Sequence, residues 1–135
     1  ALLPSRSWEK LLAEKHDHFG RKLKLDAPTV ATVLKFLTDN SADKHLTEAA
    51  FKIEQSIPGD STPLRITETP FWVKKHRDIS GADWANPEVK HRYNCDACHE
   101  DARAGTFEDA AMRIPAAPVV LTPAASAAAP GASSR

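Results

Sequence analysis

Residues 95–99 of this chain read Cys-Asp-Ala-Cys-His and contain both of its cysteines. Side chains three positions apart on a helical turn share a face, so the sulfurs of Cys95 and Cys98 can both reach the two vinyl groups of one porphyrin. The next residue, His99, is then held beneath the iron as its proximal axial ligand. This spacing predicts covalent attachment of a c-type haem. It constrains the fold strongly, because a buried haem supplies much of the apolar interior.

Three other kinds of chemistry use paired cysteines, and the surrounding sequence favours none of them. A thioredoxin-like dithiol follows a strand of a parallel sheet, and no strand pattern precedes Cys95. A structural zinc ion needs four ligands, usually from two such pairs, whereas this chain has one pair and scattered histidines. A disulfide between Cys95 and Cys98 would close a very small loop and constrain the unfolded chain little.

The length of 135 residues suits one small domain and a tail. We predict a haem domain over residues 1–114 and a disordered tail over residues 115–135, because the last segment is mostly Ala, Pro and Ser. The domain is rich in charge and modest in aliphatic residues, so its protein core alone would be marginal. The chain begins at Ala1 without methionine, which indicates a processed or truncated product.

Charge and hydropathy exclude two classes of partner. The 18 basic and 18 acidic residues balance, so no overall field indicates nucleic acid binding. No apolar run approaches the roughly 20 residues of a transmembrane helix, and we expect a soluble monomer. Basic residues do recur in residues 21–24, 74–77 and 90–92, and acidic ones follow His99. Such runs are usually solvated faces, and a docking role is the alternative.

The pattern of apolar residues predicts an all-α protein, a small helical c-type cytochrome domain with long loops. The first helix is capped by Ser5 or Ser7, ends near His18 and is stopped by Gly20. The second opens at Asp26 with Pro28 in its first turn and ends at Asn40; its apolar stripe is Val30, Val33, Leu34 and Leu37.

A third helix is predicted between Lys44 and Ile57, with Leu46, Ala49, Ala50 and Ile53 at helical spacing. A short helix follows, capped by Thr69 with Pro70 at its first position. Ser80 and Asp83 form a capping pattern before Trp84.

An electron-transfer haem needs a second axial ligand, normally Met or His. His76 is the favoured candidate, because it lies on the short capped helix beside Phe71 and Trp72, aromatic residues that could pack against a porphyrin edge. The alternative is that His76 is a hydrated member of the basic run at residues 74–77. The candidates in full are Met112, His16, His18, His45, His76 and His91.

The remaining candidates are weaker. Met112 follows His99 by a short path that hardly allows the chain to cross the haem, and it could simply fill a gap in the core. His18 could ligate iron, or it could be a partly exposed histidine near a helix C-terminus, and the same holds for His16. We expect His91 and His45 to face solvent.

With these residues identified, the chain resembles the dihaem cytochrome c family of bacterial periplasmic proteins over roughly residues 1–115, with its one Cys-x-x-Cys-His motif in the C-terminal part. The likeness is much more specific than that motif alone. It is carried by Leu-Leu-Pro-Ser-Arg-Ser-Trp at residues 2–8, His-Phe-Gly at 18–20, Thr-Pro-Leu-Arg-Ile-Thr-Glu-Thr-Pro at 62–70 with His76 beyond it, the haem motif at 94–99, and Arg-Ile-Pro at 113–115.

The resemblance implies two low-spin haems with histidine on both axial sides. Carried over by position, His99 and His76 are the axial pair of the haem bound to Cys95 and Cys98, and His18 is the distal ligand of the second haem or, if the two distal histidines are exchanged, of this one. Family members carry another Cys-x-x-Cys-His upstream of the position where this chain begins. Either the chain is truncated or it binds one haem c.

The resemblance further implies transfer of electrons between a membrane cytochrome b and a small oxygen-binding c-type cytochrome. Attachment of haem c takes place outside the bacterial cytoplasm, so the interpretation places the protein in the periplasm. We therefore predict an electron carrier and not an enzyme. The alternatives are a ligand-binding or sensor protein with an open distal site and, less favoured, a dithiol oxidoreductase.

Overall fold

The computed structural model describes residues 1–14 and 16–116. Within these residues the chain forms helices joined by loops, and no strand, which confirms the all-α prediction. The predicted disorder of the tail concerns residues that, from 117 onward, lie outside the described part. The α-helices are α1 (Ser5–Ala13), α2 (Ala27–Asp39), α3 (Glu48–Ser56), α4 (Pro70–His76) and α5 (Gly81–Trp84), and short 3₁₀ turns span Ala42–Lys44, Ile66–Glu68, Cys95–Ala97 and Asp109–Ala111.

Helix α1 is shorter than the sequence predicted. It begins at Ser5 and ends at Ala13, so the expected end near His18 is wrong. His18 instead exchanges two backbone hydrogen bonds with Arg21, of 2.7 and 3.1 Å. Gly20 lies inside this tight turn at φ +79°, a left-handed conformation that glycine adopts without steric cost. Gly20 therefore allows the tight turn between His18 and Arg21 and does not end helix α1.

Helix α2 matches its predicted bounds. The Asp26 carboxylate accepts a hydrogen bond of 2.8 Å from the backbone N–H of Thr29 and caps the first turn, and Asn40 follows the last residue. None of the residues of α2 is fully buried, although the helix packs against α1. Its apolar stripe is therefore only half covered.

Helix α3 begins later than predicted, at Glu48. His45 adopts a left-handed backbone (φ +52°) that interrupts the chain before it, and the Thr47 hydroxyl then caps α3 by accepting from the N–H of Ala50 at 3.2 Å. Leu46 consequently lies outside the helix and is 63% exposed, whereas Ile53 is buried in the core.

The two short helices begin where the capping residues predicted. Thr69 precedes α4, but its hydroxyl donates to the carbonyl of Ile66 at 2.8 Å instead of capping the helix. Ser80 and Asp83 form the predicted reciprocal capping box of α5.

The core that positions the site lies between the N-terminal segment, α3 and α4. Helix α4 packs on α3, and the backbone N–H of Phe71 donates to the Ser56 hydroxyl at 3.1 Å. This bond ties the start of α4 to the end of α3 and so fixes the helix that carries His76. None of the helices in residues 1–14 and 16–116 has the length and apolar character needed to cross a bilayer. The buried apolar residues are Leu3, Leu11, Leu12, Ala42, Ala50, Ile53, Ile57, Trp72 and Val89.

Candidate haem site

The cysteine motif forms a single tight turn. The N–H groups of Cys98 and His99 both donate to the carbonyl of Cys95, at 3.2 and 2.9 Å. Both thiols are free and half-buried. Such a turn holds the two sulfurs close together with His99 directly after them, as a two-point attachment to one porphyrin requires.

The turn opens onto a cavity of ≈560 Å³, a volume within the usual range for ligand and cofactor sites. Its walls come from α3, α4, α5 and the chain after Val89, and they are mostly apolar. The cavity is lined by all the residues predicted for the main haem site: Cys95, Cys98, His76, His99, Phe71 and Trp72. Its apolar lining also includes Leu2, Ala49, Ile53, Ile66, Ile79, Trp84, Val89, Phe107, Ala110, Met112 and Ile114.

His76 is oriented by the residue one helical turn before it. Its Nδ1 lies 2.8 Å from the carbonyl oxygen of Trp72. Because a carbonyl only accepts, Nδ1 carries the proton and Nε2 keeps its lone pair. The Trp72 ring also stacks on the imidazole, with centroids 4.1 Å apart and planes inclined by 14°. Burial lowers the pKa of His76, which favours the neutral imidazole that a metal needs.

His99 is held by a loop that returns to the motif. The backbone N–H of Arg113 donates to the carbonyl of Cys98 at 2.7 Å, and that of Glu100 donates to the carbonyl of Ala111 at 2.9 Å. Phe107 meets the His99 ring edge-on, with centroids 5.2 Å apart. The Nδ1 atom of His99 is buried and has no hydrogen-bond partner among the described residues.

The two histidines suit a haem iron between them. The centroids of the His76 and His99 rings are 6.2 Å apart. A metal about 2 Å from one nitrogen of each imidazole separates the ring centres by roughly this distance. The chemistry of the donors agrees, since imidazole is a common axial ligand of haem iron. The residues present therefore fit the group that the cysteine motif predicts.

The two thiols differ from those of a dithiol oxidoreductase. Burial raises the pKa of both Cys95 and Cys98 above the ordinary thiol value. Redox-active cysteines show the opposite shift, because the thiolate is the attacking species. The environment of the motif thus disfavours the dithiol alternative.

The other sequence candidates lie elsewhere or on the wrong side. His18 does not line the cavity, although its buried Nδ1 also has no partner among the described residues. Met112 does line it, but its backbone pairs with His99, so it lies on the same side of the cavity as His99 and not opposite it. His45 and His91, expected to face solvent, are exposed, and so is His16.

Sequence reasoning missed several residues of the site. Trp84 lies 6.2 Å from the His76 ring, centroid to centroid, and Arg92 stands over Trp84 at 5.0 Å. Phe107 covers His99. In the sequence, Trp84 is marked only as the residue after the capping pattern of Ser80 and Asp83, and Arg92 only as part of the basic run at residues 90–92. No local pattern indicates that Phe107 lines the site.

Comparison with known proteins identifies the family. The model of the dihaem cytochrome c family matches residues 1–107, most of the chain. This chain belongs to the dihaem cytochrome c family. The family resemblance predicted from the sequence is thereby confirmed, and with it a haem-based electron carrier as the general function.

Two solved structures of diheme cytochromes c show the same fold as this family member. One, from Rhodobacter sphaeroides, is 34% identical, with a TM-score of 0.66; the match covers 78% of this chain and 82% of the other. Another, from Shewanella baltica OS155, is 27% identical, with a TM-score of 0.65; the match covers 86% of this chain and 80% of the other. No curated protein sequence matches the chain at a significant level.

Proposed function

We propose that this dihaem cytochrome c family member carries single electrons on a haem c held by Cys95 and Cys98, with His99 as proximal and His76 as distal ligand. The observation that carries the proposal is the pairing of the two imidazoles, 6.2 Å apart across a cavity that both cysteines line. Two histidine ligands make the haem six-coordinate and low-spin, which leaves no open position for a gas or peroxide.

The haem supplies a one-electron iron couple, and the chain tunes it. Trp72 holds the protonated Nδ1 of His76 and fixes the orientation of its ring. Apolar side chains around the cavity exclude water and lower the local dielectric constant. Because imidazole favours reduced iron less than a methionine thioether does, the His76–His99 pair gives a lower potential than a Met/His pair.

Membership of the family supports a proposal for the partners and the location. We propose a periplasmic protein that passes electrons between a membrane cytochrome b and a small oxygen-binding c-type cytochrome. Both structural relatives are diheme cytochromes c, which supports a second haem in this family member. The buried Nδ1 of His18 has no hydrogen-bond partner among the described residues, and His18 is the residue proposed as a ligand of that second haem.

His76→Ala tests the ligand assignment. We expect the ferrous variant, expressed with haem attachment in a bacterial periplasm, to become five-coordinate and to bind carbon monoxide, because the iron loses its distal nitrogen. The measurement is the visible spectrum of both oxidation states with and without carbon monoxide. His91→Ala is the control, since His91 is exposed and does not line the cavity.

Each outcome separates the alternatives. A low-spin spectrum that persists in His76→Ala rules out His76 as the ligand. Binding of carbon monoxide by the unmodified ferrous protein would instead favour the open-site sensor. A pyridine haemochrome count gives haems per chain, and a protein without haem absorbance would refute the electron-carrier proposal itself.

A further inference from the structure

A second cleft, of ≈240 Å³, adjoins the haem cavity. Five residues line both cavities, namely Trp72, His76, Ile79, Trp84 and Arg92. The side chains that pack around the proposed distal ligand are therefore also reached from this cleft. Its remaining wall includes Val73, which is 50% exposed. A molecule seated in the cleft would therefore touch the aromatic packing of the distal imidazole without entering the cavity.

Two basic runs that are separate in sequence meet at this cleft. Arg77, from residues 74–77, and Arg92, from residues 90–92, both line it. The Arg92 guanidinium is held over the Trp84 ring at 5.0 Å and forms no ion pair within the described residues. Arg77 is paired with the exposed Asp78 at 3.4 Å, whereas the exposed Lys74 and Lys90 of the same two basic runs form no ion pair within the described residues. The surface around the cleft thus keeps a net positive charge, with the Arg92 guanidinium held in one orientation.

Two acidic residues near the cysteine motif also have arginine partners. Asp96 pairs with Arg103 at 3.3 Å, and Glu100 pairs with Arg113 at 3.1 Å. Since the chain as a whole has no net charge, a partner is steered by local patches and not by an overall field. The positive cleft is the better candidate for such steering.

We propose that this cleft, which we call the Arg77/Arg92 cleft, is the docking surface for an acidic redox protein. The inference rests on the proposed electron-carrier function and adds the face and the partner chemistry. Carboxylates of the partner pair with the two guanidinium groups, and an apolar residue of the partner packs on Val73. The interface is small and transient, as is common for redox partners. One electron crosses between the partner's cofactor and the haem, and no covalent bond changes.

The first experiment uses two small one-electron oxidants of opposite charge. Stopped-flow mixing follows reoxidation of the reduced, haem-loaded protein by ferricyanide, an anion, or by hexaammineruthenium(III), a cation; each oxidant gains the electron that the ferrous iron loses. We expect the ferricyanide rate to fall about tenfold between low and physiological salt, because screening removes the attraction. The hexaammineruthenium rate should stay level or rise.

Matched variants locate the effect. Arg77→Gln with Arg92→Gln should reduce the salt dependence for ferricyanide to less than about threefold, because the steering charges are gone. The control removes two other positive charges, by Lys22→Gln with Lys24→Gln, at exposed positions outside the cleft. The reduction potential of each variant is measured so that rates are compared at equal driving force.

A binding measurement adds a probe that resembles an acidic protein surface. Titration with poly-L-glutamate, followed by amide chemical shifts, should move the signals of Val73, Arg77 and Arg92 and leave those of residues 21–24 unchanged. The proposal is overturned if the arginine variants keep the salt dependence of the unmodified protein, or if the lysine control loses it equally. If neither oxidant reoxidises the reduced protein, the electron-carrier function fails instead.

Discussion

At the scale of single residues, Trp72 has two contacts with the same imidazole. Its backbone carbonyl accepts the Nδ1–H of His76 at 2.8 Å, and its ring covers one face of the histidine at 4.1 Å. The hydrogen bond fixes the direction in which Nε2 points, and the stacked ring restricts rotation about that direction. Because the carbonyl belongs to the backbone, substitution of Trp72 removes only the stacking contribution and leaves the hydrogen bond.

Trp72→Leu should therefore loosen the distal ligand without abolishing ligation. Aromatic stacking contributes about 0.5–1.5 kcal/mol, so we expect up to about a tenfold increase in the rate at which carbon monoxide displaces His76 from ferrous haem. Trp72→Phe keeps an aromatic face and should stay close to the unmodified rate. Equal rates in the Leu variant and the unmodified protein, measured by stopped flow, would show that the ring does not restrain the ligand.

Asp101 lies two residues after His99 and interacts with it electrostatically. One of its oxygens accepts from the Thr106 hydroxyl at 2.6 Å and from the N–H of Glu108 at 2.8 Å. Its other oxygen is buried without a partner among the described residues, as is Nδ1 of His99. Hydrogen bonds from Thr106 and Glu108 lower the pKa of Asp101, and the nearby His99 adds to the effect. With a haem bound through His99, a carboxylate in this position would favour oxidised iron.

Asp101→Asn should raise the reduction potential, because it removes a negative charge near the iron while it keeps the shape of the side chain. A tenfold change in the equilibrium constant for one-electron reduction corresponds to about 59 mV, and we expect a shift of up to this size. Glu100→Gln, which removes the exposed neighbouring charge, is the control in potentiometric titration. A shift as large in the control would assign the effect to general surface charge.

The sequence predicts the site residues that a local motif or a capped helix defines. Cys95, Cys98 and His99 have the spacing that attachment of a c-type haem requires. His76 is favoured because it lies on a short capped helix beside Phe71 and Trp72. Trp84 was not predicted, because the direction of the short helix α5 that carries it depends on tertiary packing, and Phe107 was not predicted, because it reaches the cavity through a loop conformation. Phe107 adopts φ +56°, a left-handed backbone that no residue pattern announces.

At the scale of secondary structure, α1 depends on a residue far away in sequence. Pro4, which precedes the helix, provides no side-chain cap. Asp43 takes that role: its carboxylate accepts from the N–H of Ser5 at 2.9 Å and from the Ser5 hydroxyl at 2.9 Å. A negative charge there also interacts favourably with the helix N-terminus. The contact joins α1 to the turn at Ala42–Lys44.

This contact should make stability depend on pH. Burial alone would raise the pKa of Asp43, but hydrogen bonds from Ser41 and Ser5 outweigh it and lower the pKa to about 2. A carboxyl with a lowered folded pKa stabilises the fold above its unfolded pKa, near 4, and loses that contribution as pH falls toward about 2. After a discount for the solvent exposure of Asp43, the lowered pKa predicts that Asp43→Asn costs about 1 kcal/mol near neutral pH. The difference from the unmodified protein should shrink over this window.

Urea denaturation at several pH values measures this difference, with Asp60→Asn at an exposed loop position as the control. A difference between Asp43→Asn and the unmodified protein that stays constant from pH 7 to about pH 2 would contradict the assignment of the carboxylate as the cap.

Helix bounds were predictable where a side-chain cap defines them and not where tertiary contacts do. The ends of α2 and the start of α5 follow from Asp26, Asn40 and Ser80. The early end of α1 does not, because residues after Ala13 turn back through the His18–Arg21 pair. The start of α3 differs for a local reason: the left-handed His45 interrupts the chain, and the Thr47 hydroxyl caps the helix that begins at Glu48.

At the scale of the whole molecule, the apolar core and the haem cavity are one structure. Ile53, Trp72 and Val89 are buried core residues that also line the cavity. A haem in this partly open cavity of ≈560 Å³ would bury apolar surface that is otherwise in contact with water. We therefore expect the fold to lose stability without the cofactor.

Cys95→Ser with Cys98→Ser tests this dependence, because it removes covalent attachment with little change in side-chain size. We expect the variant, purified without haem, to lose much of its helical circular dichroism at 222 nm, or to melt more than about 10 °C below the haem-loaded protein, since about 1 kcal/mol shifts the midpoint of a small domain by 4–8 °C. Addition of haem to the variant should recover part of the helix signal if His76 and His99 still bind iron. An apoprotein that melts at the same temperature as the haem-loaded protein would show that the polypeptide closes the cavity by itself.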